Sequence, residues 1–372
     1  MSPPSSTPSP LRPDHRVVLL LHDGTTNLGG KTGLAMLRYR QGPIVAVVDP
    51  AQAGRSLQEV CGIDHPAPIV ANLAEALAYG PEVAVVGLAP SGGQLPAGVS
   101  RDLAAALTAG LSVASGLHSR LADDPNLAPL LQPGQWIWDL RREPAQLQVA
   151  AARAAALSGR RLLAVGSDMA VGKMSACLEL KAEALRQGLD ARFVGTGQAG
   201  ILISGSGVAL DAVRVDYAAG AVEAAVLESA SGVGQGLGPA GPTTLIVVEG
   251  QGSLAHPGST ATLPLIRGSQ PTDLLLVHRA GQHHLKGLPE LELPPLPELI
   301  AAVEALAALA RPRGLRVPAP RVRAIALNTA LLGAAEAKEA IATTAQLTGL
   351  TCADPVRSGA STILKALMNQ GF

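Results

Sequence analysis

Residues 162–175 read Leu-Leu-Ala-Val-Gly-Ser-Asp-Met-Ala-Val-Gly-Lys-Met-Ser. An apolar strand, Leu162–Val165, runs into a loop bounded by Gly166 and Gly172. Lys173 follows, and then a helical pattern over Ala176–Leu185. Strand, Gly-bounded loop and helix in this order form a phosphate cradle. Glycine lets backbone N–H groups wrap an anion, and the helix N-terminus adds partial positive charge. Lys173 supplies a full cation suited to a terminal phosphate. A tight turn carrying an incidental lysine is the plainer alternative. The phosphate-binding candidates are therefore Gly166, Asp168, Val171, Gly172, Lys173, Met174 and Ser175.

Two features depart from the usual phosphate loop. Five residues separate Gly166 from Gly172 instead of four, and Met174 stands where Ser or Thr normally ligates magnesium. Ser175 comes one place later, turned about 100° around the helix. Phosphate recognition without catalytic magnesium is consistent with this pattern, and hydrolysis of ATP less so.

Downstream, strands are expected at 191–194, 244–248, 274–278 and 322–327, with helices at about 217–229 and 299–310 and two short helices to finish. A Gly-rich stretch runs to residue 207, and the Pro-rich segments 288–297 and 311–320 read as surface connections. The strand ending at Val248 leads into Glu249-Gly-Gln-Gly-Ser-Leu-Ala-His256-Pro257. A carboxylate at the C-terminal end of a parallel strand faces the crevice where α/β proteins bind ligands. Glu249 is thus a candidate proton acceptor or metal ligand, and His256 a candidate general base. Turn capping and a satisfied surface histidine explain the same residues without chemistry. Asp216, at the expected start of the long helix, reads equally as an N-cap and as an acid near the loop. Arg267, expected in a loop, and Arg279, ending a strand with His278, could grip a substrate carboxylate. His283 and His284 diverge in direction and have no nearby acid, so they read as a loop feature rather than a metal pair.

Upstream, strands at 16–21, 44–48, 69–70, 83–87 and 111–114 alternate with Ala/Leu-rich helices. That rhythm predicts a Rossmann-like, doubly wound parallel sheet. Asp49 stands about where a ribose-binding acid would, but the loop 23–32 is no GxGxxG. Gly29, Gly30 and Gly33 equally well make a tight strand-to-helix turn. An Ala-rich helix is expected over 146–157. The boundaries are a disordered tail at 1–14, a first domain over 15–150 and a second, phosphate-loop domain over 151–372.

Hydrophobic residues make up 47% of the 372 and aromatics only 2%, so aliphatic side chains must fill buried parallel sheets. So few aromatics exclude a stacking platform for single-stranded nucleic acid. With 29 acids against 29 Lys and Arg, nothing suggests a polyanion-binding surface. Arg outnumbers Lys 23 to 6, as in GC-rich genomes, and each lysine stands out accordingly. The three cysteines, Cys61, Cys177 and Cys352, form no CxxC, which points to a reduced, intracellular setting. No run approaches the roughly 18 apolar residues of a membrane span. A cytoplasmic protein with no nucleic-acid or membrane partner is expected.

The segments GSDMAVGKMS, VEGQGSLAHP and VDYAAGAVE, with RYRQGPIVAVVDPAQAG, VVGLAPSGGQLP and SGLHSRLADDP upstream, resemble a prokaryotic family catalogued as domain of unknown function 1611. The resemblance runs from about residue 17 to the end, and the loop spacing and the Met after the lysine are shared features. It implies a Rossmann-like first domain and a P-loop second domain similar to dethiobiotin synthetase. It also implies N-acetylation of D-glutamate, with the loop holding the phosphates of acetyl-CoA. Glu249 or His256 would then take the proton, with Asp216 as a further candidate acid. Arg267 or Arg279 would hold the substrate carboxylates. An N-acetylglutamate racemase would be the functional partner, and a homo-oligomer the expected assembly. Two rival readings stand beside it. One is an ATP-dependent ligase or kinase with Glu249, Asp216 and Ser175 around Mg2+. The other is a non-catalytic nucleotide-sensing switch that regulates a partner through the first domain, with Thr196–Gly207 moving on ligand binding.

Overall fold

The computed structural model describes residues 10–89, 95–232, 237–314 and 318–369. These form two compact units. Among the described residues, one comprises 10–143 together with Gln198–Gly205, and the other Pro144–Gly197 together with those from Ser206 onward. The sequence reading assigned Gln198–Gly205 to the second domain and set the boundary near residue 150. Of the expected tail, residues 1–9 lie outside the described residues, whereas Leu11 is already 2% exposed.

In the first unit β1 (Val17–Leu20), β2 (Ile44–Val48), β3 (Ile69–Val70), β4 (Val83–Val86), β5 (Ser112–Ser115) and β6 (Ile137–Asp139) form one parallel sheet in the order β3-β2-β1-β4-β5-β6. Helices α1 (Lys31–Tyr39), α2 (Leu57–Cys61), α3 (Leu73–Ala76) and α4 (Ala97–Thr108) make the connections. The central strands are continuous runs of Val, Leu, Ile and Ala buried on both faces, as a sheet sandwiched between helices requires. Strand order reverses between β1 and β4, the doubly wound arrangement the rhythm predicts. Asp49 is fully buried, and its carboxylate accepts from Asp23 N (3.0 Å), Thr25 N (3.2 Å) and the Thr25 hydroxyl. Both oxygens therefore serve the turn after β1, where Asp23 has φ +69°, instead of facing a ribose. Gly33 N–H donates to Gly87 O at 2.9 Å, so α1 starts in close contact with the end of β4.

The second unit carries β7 (Arg160–Gly166), β8 (Ala191–Val194), β9 (Leu245–Val248), β10 (Asp273–Arg279), a hairpin of β11 (His284–Leu285) and β12 (Leu288–Glu292), then β13 (Arg321–Asn328) and β14 (Thr351–Ala353). Its parallel sheet has the order β14-β13-β10-β7-β9-β8. In chain order the helices are α5 (Lys173–Arg186), α6 (Gln198–Ser204, in the first unit), α7 (Val215–Ser231), α8 (Thr262–Ser269), α9 (Leu296–Leu309), α10 (Ala334–Thr348), α11 (Pro355–Ser358) and α12 (Ser361–Met368). Strand β7 lies between β9 and β10, with Leu163 opposite Val248 and Gly166 opposite Val277. That placement brings the ends of β9 and β10 to either side of the loop after β7. Among the described residues no helix is long and apolar enough to cross a membrane.

Three local expectations fail. Residues 146–157 form no α-helix, only a short 3-10 turn at Arg153–Ala156. The cause lies in α7, where fully buried Glu223 accepts from Ala151 N (3.3 Å), Arg153 N (2.6 Å) and Arg153 Nε (2.8 Å), drawing the segment out along the helix. The Pro-rich stretch 288–297 contains β12, not only a connection. The chain end holds the fifteen-residue α10 and the edge strand β14 besides two short helices.

Candidate functional site

The loop from Gly166 to Lys173 joins the central strand β7 to α5, and its shape depends on two residues in left-handed conformation. Ala170 has φ +53°, and Gly172, immediately before α5, has φ +112°. A side chain at Gly172 would be strained there. Lys173 is 6% exposed, and its Nζ donates to Asp168 O at 2.9 Å. A Cβ at Gly166 would lie 2.5 Å from that ammonium, so the absence of a side chain makes room for the lysine. Burial lowers the Lys173 pKa to about 8, against the pull of the Asp168 and Glu249 carboxylates. The first-turn N–H groups of α5 have no carbonyl four residues back within the helix and can bind an anion.

Side chains from neighbouring strands hold the loop crest. Arg279, ending β10, donates Nη2 to Ala170 O at 2.6 Å, and Asn328, ending β13, donates Nδ2 to Val171 O at 3.0 Å. Met174 and Ser175 are half-buried in the first turn of α5.

Glu249 follows β9 directly and is 4% exposed. Its Oε2 accepts from Thr196 N (2.8 Å) and Gly197 N (3.2 Å), while Oε1 has only a long contact with Gln251 Nε2 at 3.4 Å. Burial raises its pKa to about 7, although the two backbone donors and Lys173 favour the anion. A carboxyl near neutrality beside a buried lysine can exchange a proton at ordinary pH.

On the other side of the loop Asp168 is fully buried. Its Oδ2 accepts from Gln282 Nε2 (2.5 Å) and Lys286 N (2.6 Å), tying the hairpin β11–β12 to the loop. His256 is also buried, donating Nε2–H to Lys286 O at 3.0 Å while Nδ1 accepts from Gly258 N at 3.0 Å. With both nitrogens engaged it has no lone pair left for a substrate proton, so the structure favours the satisfied histidine over the general base. Ser167 Oγ lies 2.8 Å from His278 Nδ1, and burial lowers the His278 pKa to about 4, keeping it neutral.

The loop candidates, Glu249 and Arg279 thus come together. Asp216 does not join them. It is exposed in the first turn of α7, just inside the cap residue Arg214, and no described hydrogen bond links it to the loop. Arg267 lies in α8, not a loop, six residues before β10 begins at Asp273. That helix returns the chain to the start of a strand parallel to β7, so exposed Arg267 lies towards the edge of the sheet opposite the loop. His283 and His284 are exposed, and His284 opens β11. Sequence reading missed Asn328, Gln282 and Lys286. Asn328 carried the same signal as Glu249, a polar residue at the C-terminal end of a parallel strand; the hairpin contacts had none.

Residues 148–364 match the family model described as the P-loop domain of DUF1611, a domain of unknown function, and residues 50–143 match its Rossmann-like N-terminal domain. A D-glutamate N-acetyltransferase of Tritonibacter scottomollicae is 33% identical over 352 residues, covering 94% of this chain and 97% of that protein. One from Pseudoalteromonas sp is 34% identical over 299 residues, covering 80% and 84%. The crystal structure of a DUF1611 family protein from Anabaena variabilis, 52% identical, superimposes with a TM-score of 0.86 over 96% of this chain and all of that one.

Proposed function

This chain belongs to the DUF1611 family, and from that premise we propose that it is an N-acetyltransferase moving an acetyl group from acetyl-coenzyme A to the amino group of D-glutamate. The observation that carries the reading is Glu249, a buried carboxyl with a pKa of about 7 set beside the lysine of a phosphate cradle. Near-full-length similarity to two proteins named D-glutamate N-acetyltransferase supports the choice of reaction.

The residues fit a phosphorylated donor. Lys173 and the first-turn N–H groups of α5 hold phosphate oxygens, and Met174 offers no hydroxyl to magnesium. Acetyl-coenzyme A supplies the acyl group as a thioester. Glu249, through its less engaged Oε1, accepts the proton of the substrate ammonium and so provides the free amine as nucleophile. Arg279 keeps donors beyond the one bound to Ala170 O, and these would meet a substrate carboxylate.

The test is release of free thiol from acetyl-coenzyme A by the purified protein with D-glutamate, L-glutamate and no amino acid, with the product identified by mass and chirality. N-acetyl-D-glutamate forming with wild type and falling sharply with Lys173→Ala supports the reading. No acetylated product from either enantiomer, alongside magnesium-dependent ADP release from ATP, would overturn it.

A further inference from the structure

The turn of the hairpin β11–β12 is Lys286-Gly287, with Leu285 paired to Leu288 and Gly287 at φ +78°. Two buried ionisable side chains hold the backbone of Lys286. The Asp168 carboxylate takes its N–H at 2.6 Å, and the His256 imidazole donates to its carbonyl at 3.0 Å. Gln282 braces the same unit, donating to Asp168 Oδ2 at 2.5 Å and to His284 O at 3.1 Å. The main-chain carbonyl of Asp168 meanwhile accepts from Lys173 Nζ at 2.9 Å. One residue of the phosphate loop therefore touches both lysines, binding the side chain of one and the backbone of the other.

Burying a carboxylate and an imidazole is unfavourable unless each is hydrogen-bonded, and here both direct such a bond to the backbone of Lys286. The side chain of Lys286 is exposed, and the chain has only six lysines. We propose that Lys286 is a further anion-binding residue of this site, presented at the hairpin turn to pair with an anionic oxygen group of a molecule held at the phosphate loop. The group is a donor phosphate or an acceptor carboxylate, both of which an ammonium meets as a point charge. The inference rests on the loop of the proposed acetyltransferase being an anion site, and its donor-phosphate arm does not depend on the identity of the acceptor.

Both contacts to Lys286 are made by its main chain, so Lys286→Met removes the charge while leaving the hairpin attached. Its melting temperature should match wild type. Three measurements follow: titration with coenzyme A, titration with inorganic pyrophosphate, and KM for D-glutamate at saturating acetyl-coenzyme A. Loss of a charge-assisted contact should weaken binding at the donor or at the acceptor roughly tenfold, with recovery in Lys286→Arg. Weaker coenzyme A or pyrophosphate binding assigns Lys286 to the donor phosphates, and a raised KM with unchanged coenzyme A binding assigns it to the acceptor carboxylate. All three within twofold of wild type would overturn the proposal. The pyrophosphate titration needs no turnover, so it still tests Lys286 if acetyl transfer proves absent.

Discussion

Burial acts on Glu249 and Lys173 in opposite senses, raising the carboxyl to about 7 and lowering the ammonium to about 8. Glu249 can take a proton only when ionised, above about 7, and Lys173 attracts phosphate only when charged, below about 8. The expected kcat/KM profile therefore rises through about 7 and falls beyond about 8, and Lys173→Arg should remove the alkaline limb. Glu249→Gln should reduce acetyl transfer by about 10²–10⁴-fold, the usual worth of a general base. The same shift predicts a stability effect. A carboxyl whose folded pKa lies above its ordinary 4.5 stabilises the fold when protonated and loses that contribution as pH rises towards about 7. The melting temperature of Glu249→Gln relative to wild type should therefore climb between pH 5 and 7; a flat difference would mean that Glu249 is not buried as described.

At the level of elements, the loop depends on its neighbours as much as on its own sequence. Gly172→Ala places a side chain at φ +112° and should cost about 1–2 kcal/mol, readable as a lower melting temperature. Asn328→Ala frees the carbonyl of Val171 and should raise the donor KM several-fold with little change in kcat, because it shifts the cradle and not the base. Glu223→Ala leaves the Ala151 and Arg153 N–H groups without their acceptor and should destabilise by about 2–4 kcal/mol in urea titration. That carboxylate also shows where sequence reading stops. The run 146–157 is rich in alanine and reads as helix, but its partner lies some seventy residues away and captures the backbone N–H groups a helix would need. Strand β7, the loop and α5 were legible because apolar run, glycines and helical pattern are all local. Strand β14 is three residues long and is defined by pairing with β13, so its own sequence carried little signal. Glu249 could be found from its position at a strand end, whereas the role of Asp168 emerged only with the hairpin it binds.

For the whole molecule, the alternation of strands and helices was enough to predict two parallel-sheet domains, but not that the first would recruit α6 from beyond the phosphate loop. Helix α6 packs against α1, with Ile201 and Leu202 buried and Arg40 Nη1 reaching Leu202 O at 3.5 Å. Residues 144–372 produced alone would expose both side chains, each worth about 1.5–3 kcal/mol of burial. That fragment should elute as aggregates on size exclusion, and Ile201→Ser with Leu202→Ser should shift it towards monomer. Among the described residues the chain passes between units after Glu143, after Gly197 and after Gly205. No single crossover in the gene can then exchange one unit for a relative's: a recombinant joined near codon 150 would inherit α1 from one parent and α6 from the other. Such a recombinant would carry an α1–α6 contact that neither parent has, so the two units are not interchangeable cassettes.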